Sequence, residues 1–266
     1  MKVESLYRYP VKGFTPERLD HVRLTKGAYV PNDRLYAVEN GPAGFDPEAP
    51  QHQPKIKFLM LMRNEAVARV RTRLDDATGR FSAEADGHRI EVDLATPDGR
   101  LAFEAFVRRV LPRELRGPPK VLGAPDGFRF TDSRRGYVSL INLASVGAVE
   151  EMVGRPVDPL RFRGNIMVSG LAPWAEFDLV GRTLETEEGL RMRGTKRIVR
   201  CAATNVDPTT AERDLNIPAT LMRTLGHADC GIYLEVKVGG PLGSGDRLRI
   251  AGDAQGDLAL GDEPAA

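Results

Sequence analysis

Alternation of apolar and polar positions is sharpest over residues 66–74, where Ala66, Ala68, Val70, Thr72 and Leu74 share one face and Arg69, Arg71 and Arg73 the other. A period of two predicts a half-buried strand. Residues 75–79 turn the chain into a second strand over 80–85, and Asp86-Gly87 is the pair that favours a type I′ hairpin into a third strand over 88–94. An antiparallel meander is expected. The period then changes: Phe103, Phe106, Val107 and Val110 recur at i, i+3, i+4 and i+7, which predicts a short helix ending at Pro112. Upstream, 3–9 and 35–39 read as strands bounded by Pro, Gly or Asn.

Residues 113–130 are rich in Pro, Gly and basic side chains and mark a soft domain boundary. Beyond it, 137–142 reads as a buried strand feeding a helix over about 145–153, with a polar cap and a stop at Gly154. Asn216 and Pro218 open another helix that ends at Leu225-Gly226, and 232–238 and 247–250 read as strands. Between them GGPLGSGDR, 239–247, lacks the Lys-Ser/Thr ending of a P-loop and the GxGxxG spacing, so a plain turn is expected. The fold class is mainly β (α+β), with domains at 1–115 and 116–252 and an acidic tail at 253–266 expected to be disordered.

Composition narrows the function. The 266 residues carry 38 Lys plus Arg against 37 Asp plus Glu, so no global field draws nucleic acid or an anionic membrane. Two cysteines and four histidines, with His227 and Cys230 the only close pair, exclude a disulfide scaffold, a four-cysteine iron-sulfur cluster and the usual zinc spacings. Neither cysteine has the Arg six positions on that a phosphatase needs, since those positions hold Asp207 and Val236, and no GxSxG elbow exists. No signal peptide or membrane span is visible, so a cytoplasmic protein, a monomer without nucleic-acid or membrane partners, is expected.

Cys201 stands out. It follows Arg191, Arg193, Lys196, Arg197 and Arg200, and neighbouring cations favour a thiolate, which is a nucleophile or a soft-metal ligand. The alternative is that Arg191 and Arg193 form the solvent face of a strand and Cys201 is a small buried hydrophobe. Cys230, in ADCGIY, reads as a core thiol. Lys12, beside Gly13, and Arg34, at the mouth of the next strand, both suit a phosphate. Arg163 and Asn165 flank Gly164, which permits close approach of a planar, hydrogen-bonding ligand. A turn or a surface ion pair explains each alone; together they point to an anionic cofactor.

YPVK at 9–12, NDR at 32–34, SLINLAS at 139–145, RFRGNI at 161–166, WAE at 174–176, RCAATNVDP at 200–208, CGIY and GSGD together resemble the MOSC-domain family. The N-terminal third resembles the β-barrel domain that precedes MOSC in the mitochondrial amidoxime reducing component and related bacterial proteins. The resemblance implies two β-barrel domains with a few peripheral helices, and a molybdenum cofactor, a pyranopterin whose dithiolene holds the metal. It implies Cys201 as the thiolate on molybdenum, Lys12 and Arg34 on the cofactor phosphate, and Arg163, Asn165, Asn142 and Ser145 on phosphate or pterin. Arg200 and Asp207 would flank the metal segment, Asp207 supplying protons or ordering the loop; an Asx turn before Pro208 explains Asp207 equally. The implied activity is reduction of amidoximes, hydroxylamines or N-hydroxylated bases with oxygen passing to the metal. Electrons would come from a separate ferredoxin, haem protein or flavin reductase. Two alternatives stay open: a cofactor carrier or sulfur-transfer protein with a Cys201 persulfide, and a β-rich binding module without metal. Three departures from the family pattern are Gly13 for Ser, Asn205 for Thr and Cys230 for an aromatic.

Overall fold

The computed structural model describes residues 1–252, so the expected tail at 253–266 lies outside the described residues. The first half of the chain forms β1 (Lys2–Arg8), β2 (Glu17–Leu19), β3 (His21–Leu24), β4 (Tyr36–Asn40), β5 (Arg71–Leu74), β6 (Phe81–Ala85), β7 (His88–Val92), α1 (Pro97–Val110) and β8 (Pro119–Gly123). The second half runs β9 (Tyr137–Asn142), α2 (Leu143–Val153), β10 (Ile166–Ser169), β11 (Thr183–Glu185), β12 (Arg191–Val199), α3 (Ile217–Leu225), β13 (Asp229–Val238), β14 (Gly240–Gly243) and β15 (Arg249–Ile250). The architecture is mainly β with three α-helices among the described residues.

Strands β5, β6 and β7 form the antiparallel meander, and Asp86 and Gly87 take φ of 49° and 76°, the two left-handed residues that a type I′ turn requires. Helix α1 starts at Pro97 under a Thr96 cap and buries Phe103, Phe106, Val107 and Val110 against this sheet. Phe103 meets Phe14 and Phe81 with ring centroids 5.7 and 5.0 Å away.

Two expectations change. Only the second half of 66–74 is strand; Glu65–Arg69 is a 3-10 turn with Val67 and Ala68 both buried. A turn with three residues per revolution lets neighbours face one core, where a strand would split them. The segment 239–247 is not a plain turn, because β14 pairs antiparallel with β3 and buries Leu242 completely. A Cβ on Gly240 would meet Leu190 at 3.1 Å, so this glycine serves close packing.

The largest sheet orders its strands β15-β11-β12-β13-β9-β10-β1-β2, which places the N-terminal β1 in the sheet of the second half. Its apolar face packs Val3, Leu6, Leu140, Ile166, Ile232 and Leu234 into one core. Strands β9 and β10 are parallel, joined through α2, while β8, from the Pro- and Gly-rich stretch, pairs antiparallel with β4. Asn142 caps α2 and Gly154 ends it at φ 69°; Gly226 ends α3 at φ 76°. This topology brings the segment after β1, the segment before β10 and the end of β12 to one place.

Candidate functional site

At that junction lies a cavity of about 300 Å³. Lys12, Arg34, Arg163, Asn165, Arg200 and Cys201 all line it, although they come from four separate stretches of chain.

Its inner wall is built on Tyr9. The ring is fully buried, and the guanidinium groups of Arg34 and Arg163 lie 4.3 and 4.2 Å from its centroid. Both arginines hold left-handed backbone, φ 48° and 51°, a strained choice for non-glycine residues that aims two long side chains at one ring. The Asp33 carboxylate accepts from Tyr9 N at 2.8 Å and from Arg34 Nη1 at 2.5 Å, and Arg163 Nη1 donates to Phe14 O at 2.9 Å. Burial, and after it the like charge of Arg34, pushes Arg163 down to about 10. It remains a cation at pH 7, in a place that favours an anion beside it.

Lys12 Nζ donates to Phe130 O at 2.9 Å and to Asp132 Oδ1 at 2.6 Å, and burial lowers its pKa more than Asp132 raises it. Burial would raise Asp132, but Lys12, Lys55 and Arg34 hold it down at about 2. Lys55 lies 3.7 Å from Asp132 and lines the cavity with Cys201; burial opposes its charge, and Asp132 and Cys201 raise its pKa against that. The sequence reading singled out neither Lys55 nor Asp132. Lys55 follows a Pro-rich loop and Asp132 lies two residues past the boundary stretch 113–130, so no local pattern separates them from solvent charges.

Cys201 is half-buried where β12 gives way to the 3-10 turn Ala202–Asn205, and its carbonyl accepts from Thr204 N at 3.0 Å. Of the basic run before it, Arg191 and Arg193 face solvent, Arg191 pairing with Glu185 at 3.3 Å. Arg200 alone of that run lines the cavity. Its Nε donates to Cys230 O at 2.7 Å and its Nη1 to Phe162 O at 2.8 Å, which fixes the residue before Cys201 to the sheet; burial lowers its pKa.

Three expected residues lie elsewhere. Asn142 and Ser145 do not reach the cavity, because both point at the buried carboxylate of Glu176, with contacts of 3.0 and 2.7 Å. Asp207 accepts from Thr209 N, Thr210 N and Arg161 Nη2 at 2.8, 2.9 and 2.8 Å and does not line the cavity, so its geometry is that of a loop-ordering Asx turn. Asn165 lines the cavity, yet its amide joins β9 to β1: Oδ1 accepts from Ser139 Oγ at 2.8 Å and Nδ2 donates to Tyr7 O at 3.1 Å. Cys230 is fully buried, and burial pushes its thiol up to about 12. No group of three or more metal-ligating side chains of the His, Cys, Asp and Glu type occurs among the described residues.

The MOSC N-terminal beta barrel domain matches residues 1–109, and the MOSC domain matches residues 127–249. The chain belongs to the MOSC family. Among solved structures this MOSC chain is similar to the YuaD protein from Bacillus subtilis, at 15% identity over 93% of each chain with a TM-score of 0.43. It is also similar to YiiM from Geobacillus stearothermophilus, at 18% identity over 46% of this chain and 58% of that one, with a TM-score of 0.35. Among curated proteins none matches it. MOSC domains are associated with the molybdenum cofactor. The donor set fits such a group: a half-buried soft thiol at Cys201, and a cluster of cations, Lys12 buried and Arg34 and Arg163 half-buried, facing the carboxylates of Asp33 and Asp132 alone. No helix of the described residues is long and apolar enough to cross a membrane.

Proposed function

We propose that this chain is a molybdenum cofactor-dependent reductase of N-hydroxylated compounds, working in the cytoplasm with a separate electron-donor protein. The observation that carries the reading is the placement of an accessible thiol and a cationic wall on one cavity. Lys12, Arg34 and Arg163 would hold the cofactor phosphate, and Cys201 would be the protein ligand to the metal. When bound, the cofactor supplies two-electron removal of oxygen from an N–OH group, and two protons complete the release of water and the amine.

The chain's own residues hold charge and protons around that chemistry. Asp132, near 2, stays ionised at pH 7 and favours the charged forms of Lys12 and Lys55, 2.6 and 3.7 Å away. Lys55, its pKa raised by Asp132 and Cys201, lines the cavity with Cys201 and would supply a proton to the leaving oxygen there. Arg200, fastened to Cys230 O and Phe162 O, keeps the Cys201 backbone from shifting.

The test is turnover of benzamidoxime by the chemically reduced, cofactor-loaded protein. Cys201→Ala is expected to lower kcat by about 100-fold or more, and unchanged turnover would remove Cys201 from the mechanism. The same accessible thiol beside Lys55 also suits a persulfide carrier, and cyanide-releasable sulfur on Cys201 in protein without molybdenum would identify that role.

A further inference from the structure

Tyr137 and Tyr233 both line the cavity and stack on each other, with centroids 5.5 Å apart and planes at 30°. Lys196, paired with Tyr233 across β12 and β13, holds its ammonium 5.8 Å from the Tyr137 ring and 5.6 Å from the Tyr233 ring. Arg135 also lines the cavity and is exposed; Lys196 is exposed and lies outside the lining, its ammonium standing over two rings that belong to it. Neither Arg135 nor Lys196 has a carboxylate partner within ion-pair distance among the described residues. Val199, 74% exposed, adds an apolar wall beside them.

These mouth cations are surplus to a cofactor. A phosphate monoester carries at most about two negative charges, and Lys12, Arg34, Lys55, Arg163 and Arg200 along the cavity, set against the carboxylates of Asp33 and Asp132, already exceed that. Asp132, the only carboxylate lining the cavity besides Asp33, is tied to Lys12 and Lys55 and leaves Arg135 and Lys196 unneutralised. An arginine fork suits a carboxylate or phosphate, and a tyrosine pair under an ammonium offers a face to a planar group.

We propose that the cavity mouth is an anion subsite, formed by Arg135 and Lys196 over the Tyr137–Tyr233 pair, which selects substrates bearing a carboxylate or phosphate on a planar group. The inference rests on the reductase reading for its catalytic consequence and on the geometry alone for binding. An acidic protein docking at the mouth is less well served, because Arg135 and both tyrosines line the cavity itself.

The experiment uses cofactor-loaded protein reduced with dithionite, so that no donor protein is needed, and compares benzamidoxime with 4-carboxybenzamidoxime. In parallel, calorimetry measures binding of the redox-inert pair 4-carbamoylbenzoate and benzamide. The carboxylated member is expected to show a KM, and a Kd, about tenfold lower than its neutral partner. Arg135→Ala combined with Lys196→Ala should bring both ratios to parity, and Lys196→Arg should preserve them. If neither amidoxime is reduced but 4-carbamoylbenzoate binds more tightly and loses that advantage in the double variant, the subsite stands and the reductase reading fails. Equal KM and equal Kd for charged and neutral members overturn the subsite while leaving reduction intact.

Discussion

The two cysteines occupy opposite environments. Cys201 opens to a cavity beside Lys55, whereas Cys230 is fully buried in β13 with its thiol pushed up to about 12. Iodoacetamide at pH 8 is therefore expected to label one thiol in the native protein and two after denaturation, read by mass spectrometry; double labelling in the native state would contradict this burial. Asp132 supplies an acid-side prediction. Its folded pKa, about 2, is below its ordinary value near 3.8, so its contribution to stability is present above pH 4 and lost as pH falls toward 2. Its side chain is 52% exposed, so solvent screening limits the effect to about 1 kcal/mol or less. Urea unfolding of Asp132→Asn should show a shallower loss of stability between pH 4 and pH 2 than the parent; equal slopes would remove the carboxylate from the acid response. Lys12, Arg34 and Cys201 were legible because each is a chemically distinctive residue beside a strand end. Lys55 and Asp132 were not, because only tertiary placement tells a charge beside Cys201 from one in solvent.

Elements explain where the sequence expectations for Asn142 and Ser145 diverge from their positions. Both belong to the β9–α2 junction, where capping and packing of the helix govern polar side chains as readily as ligand binding does. Glu176, in the 3-10 turn Ala175–Leu179, draws them inward: its carboxylate is fully buried and accepts from Ser145 Oγ, Asn142 Nδ2 and Gly231 N. Glu176→Ala removes the acceptor of Ser145 Oγ and Gly231 N, while Asn142 Nδ2 keeps Ala172 O at 2.8 Å, and a loss of about 3 kcal/mol of unfolding free energy is expected. Glu176→Gln, which keeps part of the network, should lose less, and an alanine variant as stable as the parent would show that these bonds hold nothing together. At this scale the sequence pattern carried β1, β4, β5, β6, β7, β9, β13, β15 and all three helices, since period, cap and stop signals are local, and it showed no sign of the short strands β2, β3, β8, β10 and β11. It failed over 66–74, where a 3-10 turn imitates alternation, and over 239–247, where glycines that permit close packing resemble glycines that turn.

Across the whole molecule the site depends on a topology that no local signal reveals. Strands β1 and β2 extend, beside β10, a sheet whose other strands come from the second half, and this carries Tyr9 and Lys12 to Arg163. The cavity is therefore shared between the segments matched by the MOSC N-terminal beta barrel domain and by the MOSC domain: Lys12, Arg34 and Lys55 come from one, and Arg163, Arg200 and Cys201 from the other. The central claim, a thiolate-ligated molybdenum held over a cationic wall, is tested most directly by the molybdenum content of protein purified from a cofactor-competent host. The account predicts near-stoichiometric metal in the parent, little in Cys201→Ala, and reduced cofactor occupancy in Lys12→Ala combined with Arg34→Ala. A parent without molybdenum, from a host that loads a control molybdoenzyme, would contradict it.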